Sequence, residues 1–372
     1  MKSDAPAEYD PHDERQARAA WSALAEPGDR EAHKLVAEVG PVRALRRVIE
    51  GAGKPRWRVR LPELNPRRDL RTVERFGGRL VIPGDPEWPL EMTALGVDAP
   101  FCLWVRGPLD LGSATGRAAA IVGARACTPY GEHMAMELGD GCALRGITVV
   151  SGAAYGIDGA AHRGALAGGG PTIAVLANGV DRAYPRGHDT LIDRIATMGA
   201  VVSEVPPGRA PTRLRFVERN RLIAALARVT VVVEAGPHSG ARGTALRAIR
   251  MGLPVAAVPG PVTSQSSYGC HRLIREDGAI CVTSPDELAE LAVPMGECLA
   301  EPPPPPGGPL RDLGPAELRV VDALPARSPA SVGSITRAAG LVESDVVAAL
   351  TRLSDAGLAI QDGAGWRREG VG

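Results

Sequence analysis

The sequence predicts an α/β protein built on a doubly wound, Rossmann-like parallel sheet, flanked by an N-terminal helical module and a C-terminal winged-helix module. Three observations predict this class. Seven short apolar or β-branched runs alternate with helix-length segments, 45 glycines and 33 prolines suit an architecture rich in tight turns, and a proline-rich break follows residue 300. A chain of 372 residues has room for two to three such domains.

The composition excludes several classes of protein. The 43 basic residues equal the 43 acidic ones, so any nucleic-acid contact must be a local patch. The six cysteines form no C-x-x-C pair and have no metal-site spacing with the seven histidines, so we expect no metal, no disulfide framework and no cofactor. The polar N-terminus and the absence of a long apolar run predict a cytoplasmic protein without membrane contact.

Residues 12–75 are predicted to form the helical module, of the SAM or helix-hairpin-helix kind, because apolar residues recur there at three-to-four spacing. A basic stretch follows inside it, with a single acidic residue, Glu50. Its members are Arg43, Arg46, Arg47, Lys54, Arg56, Arg58 and Arg60. This stretch is either a phosphate contact or a solvated helix face and loop, and the sequence leaves both interpretations open.

Residues 80–295 are predicted to form the Rossmann-like domain. The seven runs lie at residues 118–122, 147–151, 172–176, 200–203, 229–233, 255–258 and 279–282. Runs that are apolar throughout suit strands covered by helices on both faces, which is the arrangement of a parallel sheet. Ligands of such sheets bind at the carboxyl ends of the strands, so the residues after each run are the candidates for function.

The C-terminal part is predicted to be a separate module. Residues 296–313 contain five consecutive prolines and read as a stiff linker. Residues 314–370 then give three short amphipathic helices (316–324, 331–339 and 344–356) and a glycine-containing hairpin, the pattern of a winged helix. The third helix carries Asp345 and Asp355 against Arg352, which favours contact with a protein over contact with DNA.

Three strand-to-helix turns could bind an anion through backbone N–H groups at a helix N-terminus. They contain Arg125 after the first run, Ser151, Gly152 and Gly156 after the second, and Ser239, Gly240, Arg242, Gly243 and Thr244 after the fifth. The second turn is alternatively an ordinary tight turn with a serine cap. Nucleophilic catalysis by Ser151 with His162 is not expected, because no G-x-S-x-G elbow or ordered triad is present. We therefore predict no catalytic residue.

The densest cluster of phosphate donors lies between the fourth and fifth runs. Its donors are Arg213, Arg215, Arg219, Asn220 and Arg221, and Phe216 lies among them. Arginines beside an aromatic ring could hold a nucleic-acid backbone while a base stacks on the ring. The alternative is a basic helix start with a core phenylalanine. Together with the turns, the cluster predicts an extended polyanionic ligand.

At these residues the sequence resembles the DNA-processing protein A family (DprA, also called Smf). The similar segments are Ile121–Arg125, Val150–Gly152 with Gly156–Asp158 and His162, Tyr184-Pro185, Ser203-Glu204, Phe216 with Arg219–Arg221, Glu234, Ser239-Gly240 with Thr244-Ala245, Val258–Gly260 and Gly278-Ala279. The resemblance spans residues 82–290 or so, beginning at Ile82–Leu90.

This resemblance implies a non-enzymatic homodimer that binds single-stranded DNA and loads the RecA recombinase onto it during natural transformation. It also implies which residues line the DNA site: Arg125, Ser151, Gly152, Gly156, Phe216, Arg219, Asn220, Arg221, Ser239, Gly240, Arg242, Gly243 and Thr244. Tyr155, Val217 and Ala241-Arg242 depart from the residues common in the family, which puts the path of individual nucleotides in doubt.

An enzyme is the competing interpretation. The turn that begins at Ser239 also looks like that of nucleoside-monophosphate phosphoribohydrolases of the lysine-decarboxylase-like family. In those enzymes a glutamate of the motif stabilises the ribosyl transition state. Arg247 occupies that position here, and a cation cannot stabilise an oxocarbenium-like centre.

Overall fold

The computed structural model describes residues 10, 12–237, 239–293, 313–325, 328–363 and 365–368. The chain divides into two compact units, residues 1–300 and residues 301–372. The N-terminal helices and the sheet therefore belong to one unit, and a boundary between them near residue 80 stays a prediction. All of the expected linker except Leu313 lies outside the described residues.

The first unit is organised around a nine-stranded, mostly parallel sheet. Its strands are β1 (Gly78–Val81), β2 (Leu103–Arg106), β3 (Ala118–Val122), β4 (Thr148–Ser151), β5 (Thr172–Val175), β6 (Ala200–Ser203), β7 (Val229–Val232), β8 (Val255–Ala257) and β9 (Ile280–Cys281). Their order is β1-β2-β6-β5-β4-β3-β7-β8-β9. All seven predicted strands are present as β3 to β9, and the doubly wound fold is confirmed.

Helices cover both faces of the sheet. The first unit contains α1 (Glu14–Leu24), α2 (Arg30–Val39), α3 (Pro41–Arg47), α4 (Pro55–Arg58), α5 (Pro66–Arg75), α6 (Leu111–Ala114), α7 (Pro129–Leu144), α8 (Ile157–Ala167), α9 (Asp189–Met198), α10 (Arg213–Ala225), α11 (Gly240–Arg250), α12 (Tyr268–Glu276) and α13 (Pro285–Ala292). Alternate residues of each strand point to opposite faces, so Ala120 packs with α10 to α12, whereas Ile121 packs with α7, α8 and α13.

Two antiparallel strands extend the sheet beyond the prediction. β1 pairs with β2, with Leu80 opposite Trp104, and β2 pairs with the parallel strand β6. The outer strand β1 is covered in part, because α5 packs against it and the Arg15 guanidinium donates a hydrogen bond to the Leu80 carbonyl at 2.6 Å. At the opposite edge β9 has only two residues, Ile280 and Cys281, and both are exposed.

The N-terminal helices α1 to α4 have an apolar core of their own around Trp21, Leu45 and Trp57. They also pack on the sheet, because Ala19 shares a cluster with Trp104 of β2. The Trp104 indole N–H donates a hydrogen bond to the Ser22 hydroxyl at 3.2 Å, which satisfies a polar group inside this contact. This shared core explains why module and sheet form one compact unit.

The second unit contains three helices and a hairpin. These are α14 (Pro315–Ala323), α15 (Val332–Ala339), α16 (Glu343–Asp355), β10 (Ala359–Asp362) and β11 (Gly365–Arg368). Val320, Ile335 and Leu350 lie in one buried cluster, so the unit has its own core. The helices and the hairpin lie where the sequence places them, within one to two residues, and the assignment to the winged-helix class stays a prediction.

Candidate nucleic-acid interface

A cleft of about 630 Å³ lies at the carboxyl ends of β3 and β7. The strand order reverses here, because β4 lies on one side of β3 and the later strand β7 on the other. Doubly wound sheets bind their ligands at such a point. We call this space the switch-point cleft. Its lining comprises residues 122–126, Ala154, Asp158, Arg219, Asn220, Ile223, Gly236, Pro237, residues 239–241, Thr244, Gln265 and Ser266.

A second space of about 550 Å³ adjoins the first, and we call it the aromatic pocket. Its lining comprises Arg125, Tyr184, Pro211, Thr212, Arg213, Phe216, Val217, Arg219, Asn220 and Gly240. Arg125, Arg219, Asn220 and Gly240 line both spaces. Because they share these four lining residues, the two spaces form one groove.

Several helices begin at this edge, and each N-terminus carries free N–H groups and the positive end of a helix dipole. The α8 terminus has Asp158 in its first turn. At the start of α7, the Glu234 carboxylate accepts hydrogen bonds from the Thr128 N–H at 2.9 Å and the Thr128 hydroxyl at 2.6 Å. Helix α11 has no acidic residue in its first turn, and a Cβ at Gly240 would have nothing within 4 Å. Its N-terminus is accessible to an external anion.

Arg219 is buried at the base of the groove. One Nη donates hydrogen bonds to the carbonyls of Gly152 at 2.8 Å and Val175 at 2.5 Å, while its Nε has no partner among the described residues. Burial lowers the pKa of Arg219 to about 10, and the neighbouring cation of Arg125 acts in the same direction. An anion in the cleft would relieve both effects, since it supplies an acceptor and a compensating charge.

Phe216 forms an aromatic face at the mouth of the groove. The guanidinium carbons of Arg125 and Arg219 lie 5.2 and 5.9 Å from its ring centre, within cation–π range. The Tyr184 ring centre lies 5.4 Å away, and Tyr184 is 41% exposed. Sequence reasoning did not place Tyr184 in the site. The available signal was an aromatic residue beside a proline in a chain with only 3% aromatics.

Asp158 is a second lining residue that sequence reasoning missed. Its carboxylate is buried and accepts a hydrogen bond from the Gly152 N–H at 3.2 Å. Burial raises the pKa of Asp158, while the Arg219 charge opposes that rise. Because Asp158 binds backbone of the β4–α8 turn, it fixes the shape of the cleft floor rather than offering a free charge to solvent.

The predicted residues of the β4–α8 turn support the groove from below. A Cβ at Gly152 would lie 2.1 Å from an Arg219 Nη, and at Gly156, whose φ is +76°, a Cβ would lie 2.2 Å from the Ala124 carbonyl. Only glycine permits these approaches. The Ser151 hydroxyl is buried and donates to the Ile121 carbonyl at 2.6 Å. Ser151 therefore does not present its side chain to the groove.

Six predicted residues do not line the groove: Ser151, Gly152 and Gly156, which lie beneath it, and Arg221, Arg242 and Gly243. The buried Arg221 guanidinium makes two hydrogen bonds to the Glu204 carboxylate, at 2.7 and 2.6 Å, because residues two apart on a helix project in nearly opposite directions. Arg242 pairs with Asp277 at 3.1 Å. Arg242 and Gly243 lie on the side of α11 away from Gly240, Ala241 and Thr244, and neither lines the groove.

The remaining predicted residues do meet in one place. Those that line the groove are Arg125, Phe216, Arg219, Asn220, Ser239, Gly240 and Thr244. Within the described ranges, no three His, Cys, Asp or Glu side chains are grouped so that they could hold a metal ion. In that same part of the chain, no helix has the length and apolar character needed to cross a membrane.

The fold and the groove define a Rossmann-like protein whose sheet edge presents arginines, aromatic rings and an open helix N-terminus to an anionic ligand. Residues 79–292 match the model of the DNA recombination-mediator protein A family, and the chain belongs to that family. A DNA processing protein, DprA, of Mycobacterium tuberculosis is 46% identical over 377 residues, which cover 95% of each chain. The resemblance inferred from the sequence is thereby confirmed.

Solved structures agree with this assignment. DNA processing protein A from Streptococcus pneumoniae superposes with a TM-score of 0.61 and 32% identity, covering 76% of this chain and 97% of that chain. The Helicobacter pylori protein, solved in a study of its single-stranded DNA binding mode, gives a TM-score of 0.51 and 26% identity, with 57% and 94% coverage.

Proposed function

We propose that the protein binds single-stranded DNA in the groove formed by the switch-point cleft and the aromatic pocket. The observation that carries this proposal is the Phe216 ring at the groove mouth, flanked by the guanidinium groups of Arg125 and Arg219. Guanidinium groups bind phosphates, and an aromatic ring, here the half-buried Phe216 or the exposed Tyr184, can stack on a base. The groove therefore offers both parts of a nucleotide a partner.

The same arrangement favours a single strand over a duplex. A base can stack on Phe216 or Tyr184 only if its face is free, whereas the bases of a duplex are stacked on one another. The open N-terminus of α11 and the exposed guanidinium of Arg125 would hold the phosphate next to that base. No side chain in this scheme reads a base edge, so we expect weak dependence on sequence.

The proposal extends to recombination. As a family member, the protein would deliver single-stranded DNA to the RecA recombinase during natural transformation, and it would act as a homodimer. The support is family membership, together with the single-stranded DNA binding mode studied in the Helicobacter pylori relative. RecA filament assembly should become faster when this protein is added to DNA coated by a single-strand-binding protein. If the protein is a homodimer, light scattering should give twice the mass of one chain.

The binding experiment compares a single-stranded oligonucleotide, the corresponding duplex and a mononucleotide by fluorescence anisotropy at matched salt. We expect preference for the single strand and a log-log salt slope of roughly −0.7 per phosphate neutralised. The change Phe216→Ala should cost about 1 to 3 kcal/mol of binding free energy. Phe76→Ala is the matched control, because Phe76 is 47% exposed and does not line the groove. Equal or tighter duplex binding contradicts the proposal.

The phosphoribohydrolase alternative lacks its carboxylate. Arg247, at the position of the catalytic glutamate, pairs with Glu218 at 3.4 Å and lines a different cleft from the switch-point cleft. Asp158 does line the switch-point cleft, but burial raises its pKa and backbone N–H groups occupy it. We therefore propose binding without base release. Release of free base from nucleoside monophosphates, abolished by Asp158→Asn, would favour the enzyme instead.

A further inference from the structure

The basic stretch of the helical module separates into two sets in the structure. Lys54, Arg56 and Arg60 are neutralised, since each forms an ion pair with an acidic residue between Glu26 and Glu31. The other four arginines are exposed, and their guanidinium groups form no hydrogen bond or ion pair with any described residue. We call this second set the module arginines, and they are Arg43, Arg46, Arg47 and Arg58.

Three of the module arginines lie together on one helix face. Helix α3 buries Ala44 and Leu45 in the module core, so Arg43, Arg46 and Arg47 project from the opposite side. Their spacing of three and four residues makes them neighbours, and like charges at that spacing repel. Glu50 is the only acidic residue between residues 41 and 60, so the stretch itself neutralises little of this positive charge. An external polyanion bound to this surface would reduce the repulsion between the arginines.

The helical module contacts α10, the helix that carries residues of the aromatic pocket. The Glu26 carboxylate accepts hydrogen bonds from Arg60 at 2.5 Å and from Arg215 at 2.9 Å. Arg215 lies in the first turn of α10, between Arg213 and Phe216 of the aromatic pocket. Arg58 precedes Arg60 by two residues. Through Glu26, the C-terminal end of the basic stretch is therefore tied to the first turn of α10, the helix that carries Arg213 and Phe216.

We propose that a single DNA strand leaving the aromatic pocket continues across the helical module, where the module arginines contact its phosphates. This inference rests on the proposed function of the groove. Within α3 no aromatic side chain lies among the arginines, so this surface contacts the backbone and stacks no base. The groove holds the nucleotides that stack, and the module lengthens the footprint electrostatically.

The test uses the full-length protein and the triple variant Arg43→Gln, Arg46→Gln, Arg47→Gln, which removes charge and retains helix-forming side chains. Affinity is measured for two oligonucleotides. The short one has about 6 nucleotides, near the lower end of the site sizes of single-strand-binding folds, and the long one has about 30 nucleotides. The matched control is Arg194→Gln, Arg228→Gln, Arg275→Gln, three exposed arginines that do not line the groove.

For the long oligonucleotide, the salt slope of the triple variant should be smaller by about 0.7 for each lost phosphate contact, up to about 2 in total. Affinity should accordingly fall by up to about 100-fold at 0.1 M salt relative to the wild type, with the difference vanishing near 1 M. The short oligonucleotide should bind equally to both proteins, and the control variant should behave as the wild type with both lengths.

Two failures can be told apart. If the wild type binds no single-stranded DNA, the proposed function of the groove is wrong. If the wild type binds but the triple variant keeps its affinity and salt slope at both lengths, the groove proposal stands and the footprint ends at the groove. That second result would also be expected if the module arginines served an acidic protein partner, and it overturns the present inference.

Discussion

Arg219 and Arg221 lie two residues apart on α10 and serve different purposes. Arg219 lines the groove and donates to backbone carbonyls at its base, whereas Arg221 is held by Glu204 and donates through its Nε to the Asp98 carbonyl at 2.8 Å. A buried ion pair of this kind is costly to break from one side, because the remaining charge is left without compensation. Neither residue is a surface arginine, although the sequence suggests a basic cluster of equivalent residues.

The change Arg221→Gln should therefore lower the free energy of unfolding by about 3 to 5 kcal/mol, since Glu204 would remain buried and unpaired. DNA affinity of the folded protein should be unaffected. Urea unfolding and oligonucleotide binding measure the two effects separately. The control is the double change Arg221→Gln with Glu204→Gln, which should recover part of the lost stability. Normal stability with lost DNA binding would instead make Arg221 a DNA ligand.

His162 couples the stability of the fold to pH. Its ring is fully buried, Nδ1 lies 2.7 Å from the Thr172 hydroxyl, and Nε2 has no partner among the described residues. Burial lowers the pKa of His162 from 6.5 to about 3, with the nearby His188 adding to the effect. Between these two values the unfolded chain binds a proton that the folded chain does not bind.

Stability should consequently fall as the pH decreases from about 6.5 toward about 3, by up to about 1.4 kcal/mol per pH unit for this one group. His162→Asn, which cannot take up the proton, should flatten the dependence in that window. Urea unfolding at several pH values measures the slope. His33, whose pKa burial lowers to about 4, contributes in the same direction and remains in the variant. An unchanged slope would show that His162 is protonated in the folded state.

At the scale of elements, the loop between β3 and α7 carries Arg125 and is held from β7. The Glu234 carboxylate binds Thr128, and the Glu234 carbonyl accepts a hydrogen bond from the Ala124 N–H at 2.8 Å. Thr128 also caps α7 by accepting from the Gly131 N–H at 3.2 Å. Glu234, which follows β7, thus holds both ends of the segment that carries Arg125, at Ala124 and at Thr128.

The change Glu234→Ala should cost about 1 kcal/mol of stability, because it removes two hydrogen bonds to the half-buried Thr128. It should also weaken binding of single-stranded DNA, because the segment that carries Arg125 would be held less firmly. Glu234 itself does not line the groove. Thr128→Ala removes the hydroxyl side of the same contact, so the double variant should be less than additive. Unfolding curves and anisotropy titrations of the three variants test this coupling. Strict additivity would mean that the two residues act independently.

Some elements of this fold can be predicted from the sequence and others cannot, for physical reasons. Strands β3 to β9 could be predicted because strands between two helix layers are apolar along their whole length. Strands β1 and β2 were missed, since both contain arginine and they add antiparallel to the edge of the sheet. The groove was foreseen through Arg125, Phe216 and Gly240. The orientation of Arg221 was not, because α10 buries four consecutive residues, Leu222 to Ala225, and shows no clear apolar stripe.

At the scale of the whole molecule, the charges that matter are unevenly distributed in a chain whose formal net charge is zero. Cations line the groove and the helical module, whereas α16 of the second unit begins with Glu343 and Asp345. Its only basic residue, Arg352, already pairs with Glu317 at 2.5 Å. Helix α16 is therefore poorly suited to a DNA groove.

A chain truncated near Leu299 should fold and retain most of its affinity for single-stranded DNA. Each unit has its own buried core, so removal of residues 301–372 leaves the core of the first intact. We expect a loss of less than about tenfold, or about 1.4 kcal/mol. Circular dichroism establishes folding, and anisotropy gives the affinity. A larger loss in a folded truncation would assign the second unit to the DNA site.

The edges of the nine-stranded sheet limit how copies of this protein can associate. An outer strand with free N–H and C=O groups is a template on which another chain can add, and long sheets of this kind are prone to open-ended polymerisation. Here the Arg15 guanidinium occupies one such carbonyl on β1, and two-residue β9 is too short to direct a second strand. Growth of filaments by sheet extension through these two edges is therefore disfavoured.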